Sequence, residues 1–368
     1  MRDERGGRAH GSAPRARRGS ARRGAGRRRR PARCAAAAHA LDGPHGGPGA
    51  LRAPGRARGG RRARPARRCR APPPAGTVFG GLGADEHTEV EIGSITKTMT
   101  SLLLAQSVAS GTVRPEDPPA AHLDLGAQPF TLEELAGHRS GLPRLAPGVG
   151  ATLDALRDQI LLRDPYTRTL PELEGAARGA RLSGRGDFQY SNLGAAVLGQ
   201  AVAAAEGTGY RDLVHRRVLE PLGMASSYLP VTRDGLRPGA PRGTTTSGRL
   251  PDPWTLHAEA PAGGVRSTAA DMARYARALL TSDPALGVPP ATVLAPRWDA
   301  GEDRRVGLAW ITQTTDGRTV TWHNGGTFGF RSMLALDVAA GTAVFVAGNT
   351  GADVDEIALA LLAETPAP

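Results

Sequence analysis

Lysine is almost missing from this chain: Lys97 is the only one, beside 46 arginines in 368 residues. An arginine guanidinium stays protonated at any working pH, so a side-chain amine able to give up a proton exists at one position only. Cysteine is scarce too. Cys34 and Cys69 both fall in the first 70 residues, which leaves the rest of the chain without a disulfide, a thiolate nucleophile or a Cys/His zinc spacing. No apolar run approaches 18 residues, so no transmembrane helix is readable. Aromatic residues make up 4% of the chain and are absent between Met1 and Arg70.

That last absence bears on charge. The chain carries a formal net charge of +12, yet residues 1–70 hold 22 arginines against Asp3, Glu4 and Asp42, while the remainder is net acidic by 7. Residues 1–74 are Arg, Gly, Ala and Pro with few large apolar side chains, and such text does not bury enough surface to offset its ordering entropy. Disorder is expected there, or a start or reading frame that is not the native one. An arginine-rich arm that binds nucleic acid is the alternative. It lacks the aromatic residues that base stacking uses, so nucleic acid is not an expected partner. Residues 34–41 follow a basic run and faintly resemble a signal-peptide core, but are short and mostly alanine; localisation stays unassigned.

From residue 75 the chain reads as folded. Residues 77–83 suggest a short strand and turn, and residues 88–92 an extended link. Ser94 then opens an apolar helix that Gly111 stops. Thr131 and Glu134 have capping-box spacing. Residues 145–185 read as a looser helical stretch interrupted by Pro165 and Pro171. Leu193, Ala196, Val197, Ala201 and Ala204 share one helical face. Residues 225–262 lack periodicity and predict a long loop over the site. Beyond residue 305 the pattern is β: hairpins turn at Asp316-Gly317 and around residues 339–341. Strands at both ends of the chain around a helical middle predict an α+β fold of the α/β sandwich type. An antiparallel sheet from residues 75–92 and 305–350 would be flanked by helices, with a mainly helical region at 94–285.

The chemistry starts at Ser94-Ile-Thr-Lys97. Residues three apart on a helix share a face, so the amine can reach the hydroxyl. A serine hydroxyl at neutral pH needs a base within hydrogen-bond reach, and lysine serves once burial or positive potential lowers its pKa. Taken singly, Ser94 could be a helix N-cap, Lys97 a surface lysine, Tyr190 a core aromatic, Asn192 a second cap and His323 a strand-edge histidine. Those readings leave unexplained the order Ser94-x-x-Lys97, Tyr190-Ser-Asn192, His323-Asn-Gly325.

With its flanking segments His138-Arg-Ser-Gly-Leu-Pro143 and Gly263-Gly-Val-Arg-Ser-Thr268, the ordered triplet resembles the serine β-lactamase and penicillin-binding superfamily, in its class C, DD-peptidase and esterase branch. The resemblance spans about residues 76–365 and implies a β-lactamase/transpeptidase-like fold. It implies Ser94 as acylated nucleophile, Lys97 as its proton partner, and Tyr190 as a second acid/base whose phenolate a neighbouring ammonium would favour. Asn192 would orient a substrate amide. His323, Asn324 and Gly325 would line the substrate strand, and the backbone N–H groups of Ser94 and Gly326 would form an oxyanion hole. Arg331 is a candidate for a substrate carboxylate; His138 is read as structural. Neither metal nor organic cofactor is implied, the partner is a small-molecule or peptide substrate, and a monomer is expected. The branch's β-lactamases carry Lys-Thr-Gly where this chain has His323-Asn324-Gly325, which replaces a permanent charge by a histidine mostly neutral at pH 7. The expected activity is therefore acyl-enzyme hydrolysis of an ester or amide, closest to the DD-carboxypeptidase and esterase members, with a β-lactamase proper as the alternative.

Overall fold

The computed structural model describes residues 33–39, 76–146, 160–315 and 317–365. Eight strands form one sheet: β1 (Arg33–His39), β2 (Thr77–Leu82), β5 (Trp298–Asp299), β6 (Arg304–Val306), β7 (Ile311–Thr315), β8 (Arg318–Gly326), β9 (Arg331–Asp337) and β10 (Thr342–Gly348). Their order across the sheet is β2-β1-β10-β9-β8-β7-β6-β5. A separate two-stranded sheet pairs β3 (Glu89–Glu91) with β4 (Arg266–Thr268).

Period-two alternation makes β9 and β10 two-sided. Leu334, Leu336, Ala343, Phe345 and Ala347 face the main core, whereas Met333, Ala335, Val344 and Val346 pack with Val354 and with Ala358 and Leu362 of the C-terminal helix it precedes, Asp355–Glu364. Strands buried on both faces belong in the middle of a sheet. The turns fall where the sequence predicts. Thr315 pairs with Arg318 across a two-residue loop, and Asp337 pairs with Thr342. Asp316 itself lies outside the described residues.

Two expectations change. From β10 to β5 the sheet is antiparallel, but β1 lies between β2 and β10 and runs parallel to both. So Arg33–His39 is a strand inside the stretch expected to be disordered throughout, and it covers the β10 edge whose N–H and C=O groups would otherwise stay unpaired. Expectations for residues 1–32 and 40–75, including the nucleic-acid arm, fall outside the described residues. Second, Pro171 starts a helix rather than breaking one: it sits in the first turn of Leu170–Arg178, with Thr169 and Glu172 forming a capping box ahead of it. The first-turn N–H has no intrahelical acceptor, so proline costs nothing there.

The helix Thr96–Ala109 is buried nearly all round although it carries Lys97, Thr98, Thr100, Ser101 and Gln106 beside its apolar residues, each of them hydrogen-bonded or packed within the core. It packs against the helix Asn192–Ala205, whose N-cap is Ser191: its Oγ accepts from Gly194 N at 2.8 Å and donates to the Pro143 carbonyl at 2.7 Å. Among the described residues, no helix is long and apolar enough to cross a membrane.

Candidate active site

Ser94 caps nothing. It sits in a 3-10 turn, Gly93–Ile95, just before the helix, and no side chain caps that helix. Gly93 explains the turn's position. Its φ is +51°, and a Cβ there would stand 2.7 Å from Gly326 N and 3.2 Å from the Gly325 carbonyl carbon. A residue without a side chain lets the serine turn lie directly against the end of β8. Ser332 Oγ donates to the Ile92 carbonyl at 2.9 Å and ties the same turn to β9. Two elements remote in sequence are thereby locked together at Ser94.

Lys97 is 1% exposed, and its Nζ lies 2.9 Å from Ser94 Oγ and 2.5 Å from the Ala262 carbonyl. Burial, aided by the Arg144 guanidinium, pulls its pKa well below the ordinary lysine value. An amine held towards its neutral form has a lone pair for the serine proton. The Tyr190 hydroxyl lies beside Ser94, and the Lys97 amine stands 5.0 Å from the Tyr190 ring centroid. The expected Tyr190 phenolate is not favoured here. Burial drives that hydroxyl above its ordinary pKa, with the Ser94 hydroxyl and Arg144 only partly opposing the rise, and the lysine that would supply an ammonium is itself pushed towards neutrality. Tyr190 therefore stands as a phenol, able to relay a proton it holds.

His323 projects from β8 into the same core, 2% exposed, with its ring centroid 6.1 Å from that of Tyr190. Burial, followed by Lys97, lowers its pKa to about 3. The neighbouring Asn324 points the other way, as strand alternation requires. Its Nδ2 donates to Asp355 Oδ2 at 2.5 Å. Asn192 Nδ2 donates to Tyr166 Oη at 3.1 Å, and Asn192 Oδ1 is buried with no partner among the described residues. Arg331 borders the cleft, but its Nη1 is turned back onto the carbonyls of Thr327 (2.6 Å) and Phe330 (3.2 Å). That weakens its candidacy as a carboxylate receptor.

These side chains open on a cleft of about 560 Å³, lined by Ser94, Tyr190, Asn192, Asn324, Gly325 and Gly326 among others. Sequence reasoning missed the rest of the wall. Tyr166 and Trp254 meet edge to face at 5.1 Å, and Trp254 meets Phe328 at 5.3 Å. Asp164 holds the two wall segments together by accepting from Tyr166 N, Thr255 N and Thr255 Oγ1. Glu91, ion-paired to the buried Arg266, accepts from Trp254 N. Asp353 and Asp355 also line the cleft. The long loop at 225–262 does border the site, through Trp254, Leu256 and Ala262. Among the described residues, no group of three or more His, Cys, Asp or Glu could hold a metal ion.

A family model named beta-lactamase matches residues 74–365. Among curated proteins, the chain is 35% identical over 205 residues to the D-alanyl-D-alanine-carboxypeptidase/endopeptidase AmpH of Escherichia coli K12, covering 53% of this chain and 49% of that protein. It is 29% identical over 239 residues to the unguisins hydrolase ungD' of Aspergillus campestris, covering 60% of this chain and 42% of that protein. The chain thus spans about half the length of these curated relatives or less. Among solved structures, an octameric penicillin-binding protein homologue from Pyrococcus abyssi aligns with TM-score 0.65 at 24% identity, covering 77% of this chain and 68% of the other. A class C beta-lactamase aligns with TM-score 0.64 at 18% identity, covering 77% and 84%. At that identity the two structures speak for the fold alone, which is the β-lactamase/transpeptidase-like one.

Proposed function

The chain belongs to the beta-lactamase family, and from that premise we propose that it is a serine hydrolase working through an acyl-enzyme on Ser94. The observation that carries this is the flanking of one hydroxyl on two sides: the buried Lys97 Nζ at 2.9 Å and the half-buried Tyr190 phenol.

In the first half-reaction Ser94 Oγ attacks the carbonyl carbon while the neutral Lys97 amine takes its proton. The oxyanion sits between the backbone N–H groups of Ser94 and Gly326, where fixed donors stabilise charge that develops only in the transition state. As the C–O or C–N bond breaks, the proton from Lys97 passes through the Tyr190 hydroxyl to the leaving group. Water then attacks the ester and gives its proton back along the same path, releasing the acid and free Ser94. A standing phenolate is not required, because Tyr190 gives up one proton as it takes another. Asn192 Oδ1 would receive an amide N–H of the substrate.

Substrate is the finer part of the proposal. With His323 neutral and Arg331 partly engaged, Arg144 is set against two carboxylates in the cleft lining, Asp353 and Asp355, so no excess of positive charge selects a substrate with a free carboxylate beside the scissile bond. That favours the esterase or amidase end of the branch over a β-lactamase. The test is labelling of the purified chain with a fluorophosphonate, with turnover of a nitrophenyl ester, a D-Ala-D-Ala peptide and nitrocefin measured alongside. One adduct per chain on Ser94, lost in Ser94→Ala, is expected, as is a drop of about 10²–10⁴-fold in acylation for Lys97→Ala with the fold retained. A folded protein that takes no label, or takes it equally in Ser94→Ala, refutes the mechanism.

A further inference from the structure

His138 looks structural in the sequence, yet its surroundings are those of the reacting groups. It is 2% exposed, its backbone φ is +57°, and its ring centroid lies 4.5 Å from that of Tyr190 at an interplanar angle of 35°. A left-handed conformation is unusual for a non-glycine residue and is retained where the surroundings over-determine it.

The proton on this ring can be located from its partner. His138 Nδ1 receives the Ser191 backbone N–H at 3.2 Å. A backbone amide only donates, so Nδ1 is bare and the neutral ring carries its proton on Nε2. For His323 the logic inverts. Its Nδ1 lies 2.6 Å from the Asn324 carbonyl oxygen, which only accepts, so Nδ1 bears the proton and Nε2 is bare. Both rings are held neutral by burial, with Lys97 adding to the effect. The outcome is a buried donor, His138 Nε2–H, and a buried acceptor, His323 Nε2. Neither has a hydrogen-bond partner among the described residues, and both rings flank Tyr190. An unsatisfied buried polar atom costs the full desolvation of that group, so two complementary ones beside the same phenol are not neutral to the fold.

We propose that His138 is a positioning residue for the reaction: its Nε2–H is linked to His323 Nε2 through one water, and the linked rings hold the Tyr190 hydroxyl beside Ser94. The link fixes both tautomers. It also gives His323 a role that does not depend on charge, as the acceptor that completes the clamp. The helix start at Ser191 is tied in as well, because the same imidazole receives its N–H. This rests on the Ser94 acyl-enzyme reading given above.

Three substitutions separate the donor from the ring. His138→Gln can place an amide N–H near the Nε2 position, His138→Asn keeps an acceptor for Ser191 N and tolerates the left-handed backbone, and His138→Phe keeps the ring without either nitrogen. Kinetics on a nitrophenyl ester should show Gln within about threefold of wild type, and Asn and Phe losing about 10–100-fold in kcat at unchanged KM, the scale of a small misplacement of a reacting group. In the His138→Asn/His323→Asn double variant the two losses should not multiply, since each breaks the same link. Melting curves accompany each variant, and Asn supplies the folded case if Phe is destabilised by its backbone. Wild-type kcat in the folded Asn or Phe variant overturns the proposal, as does a Gln variant no better than Asn. Ester turnover that survives Ser94→Ala would defeat the acyl-enzyme reading instead. A dead Ser94→Ala together with wild-type His138 variants would defeat this inference alone.

Discussion

Replacing His323 by glutamine should make the protein relatively more stable in acid, by an amount that follows from its burial. The unfolded histidine titrates near pH 6.5, whereas in the folded chain burial and Lys97 lower the value to about 3. Between those limits the unfolded chain binds a proton that the folded chain refuses, so stability rises with pH and is lost on acidification. At pH 5 the unfolded ring is almost fully protonated, and the penalty is about 2 kcal/mol; at pH 7.5 it is close to zero. The figure barely depends on whether the folded value is 2 or 4, because at pH 5 the folded ring is neutral in either case. Other groups move the absolute curve. Burial raises Glu259 to about 7, against the pull of Arg168. A carboxyl whose folded pKa is raised contributes stability at low pH that is lost as pH climbs through 4.5–7, the opposite trend. Comparing the variant with wild type at each pH cancels that term. Denaturant unfolding of both proteins at pH 5 and 7.5 should show their stability difference shifting by about 2 kcal/mol in the variant's favour at the lower pH. A difference that is the same at both pH values would mean that the ring takes up a proton in the fold, and the neutral-histidine account of the site would fail.

Two further perturbations probe the cleft itself. Gly93→Ala places a methyl group 2.7 Å from Gly326 N on a residue of φ +51°. Backbone strain of about 1–2 kcal/mol is expected in unfolding experiments, with a larger proportional loss in acylation rate because the serine turn is pushed off β8; acylation at the wild-type rate would show that the close approach is dispensable. Asp355→Asn keeps the shape beside Asn324 and removes a negative charge from the cleft lining. The ratio of D-Ala-D-Ala peptide to uncharged ester turnover should rise roughly tenfold, the effect of a nearby charge partly shielded by solvent. An unchanged ratio would remove the electrostatic argument against carboxylate substrates.

What could be read from sequence, and what could not, divides along the range of the interaction involved. Ser94 and Lys97 are three residues apart, and helical geometry alone brings them together. Thr131 with Glu134, and the hairpin turn before Arg318, are equally local. Long-range pairing was another matter. Nothing in the alanine-rich text at Arg33–His39 marks it as a strand beside β10, and parallel pairing leaves no turn to betray it. Pro171 was misread because proline breaks a helix interior but suits its first turn, and only the helix start distinguishes the two.

The site shows the same division more sharply. Motif order supplied Ser94, Lys97, Tyr190, Asn192 and His323, but not the state of their protons, which belongs to the fold. A solvated lysine three residues from a serine would be an ammonium, and a solvated tyrosine beside it could be drawn towards phenolate. Burial reverses both: Lys97 is pressed to give its proton up and Tyr190 to keep its own. Burial also turns His323 from a diluted substitute for a charged lysine into a neutral hydrogen-bonding ring. The substitution at the third motif therefore does more than weaken carboxylate binding. A lysine at His323 would bring a second amine into a core where Lys97 already resists a proton, and each would lower the other's pKa. The histidine avoids that competition, and Lys97 remains the one amine in the cluster from which a base can be made.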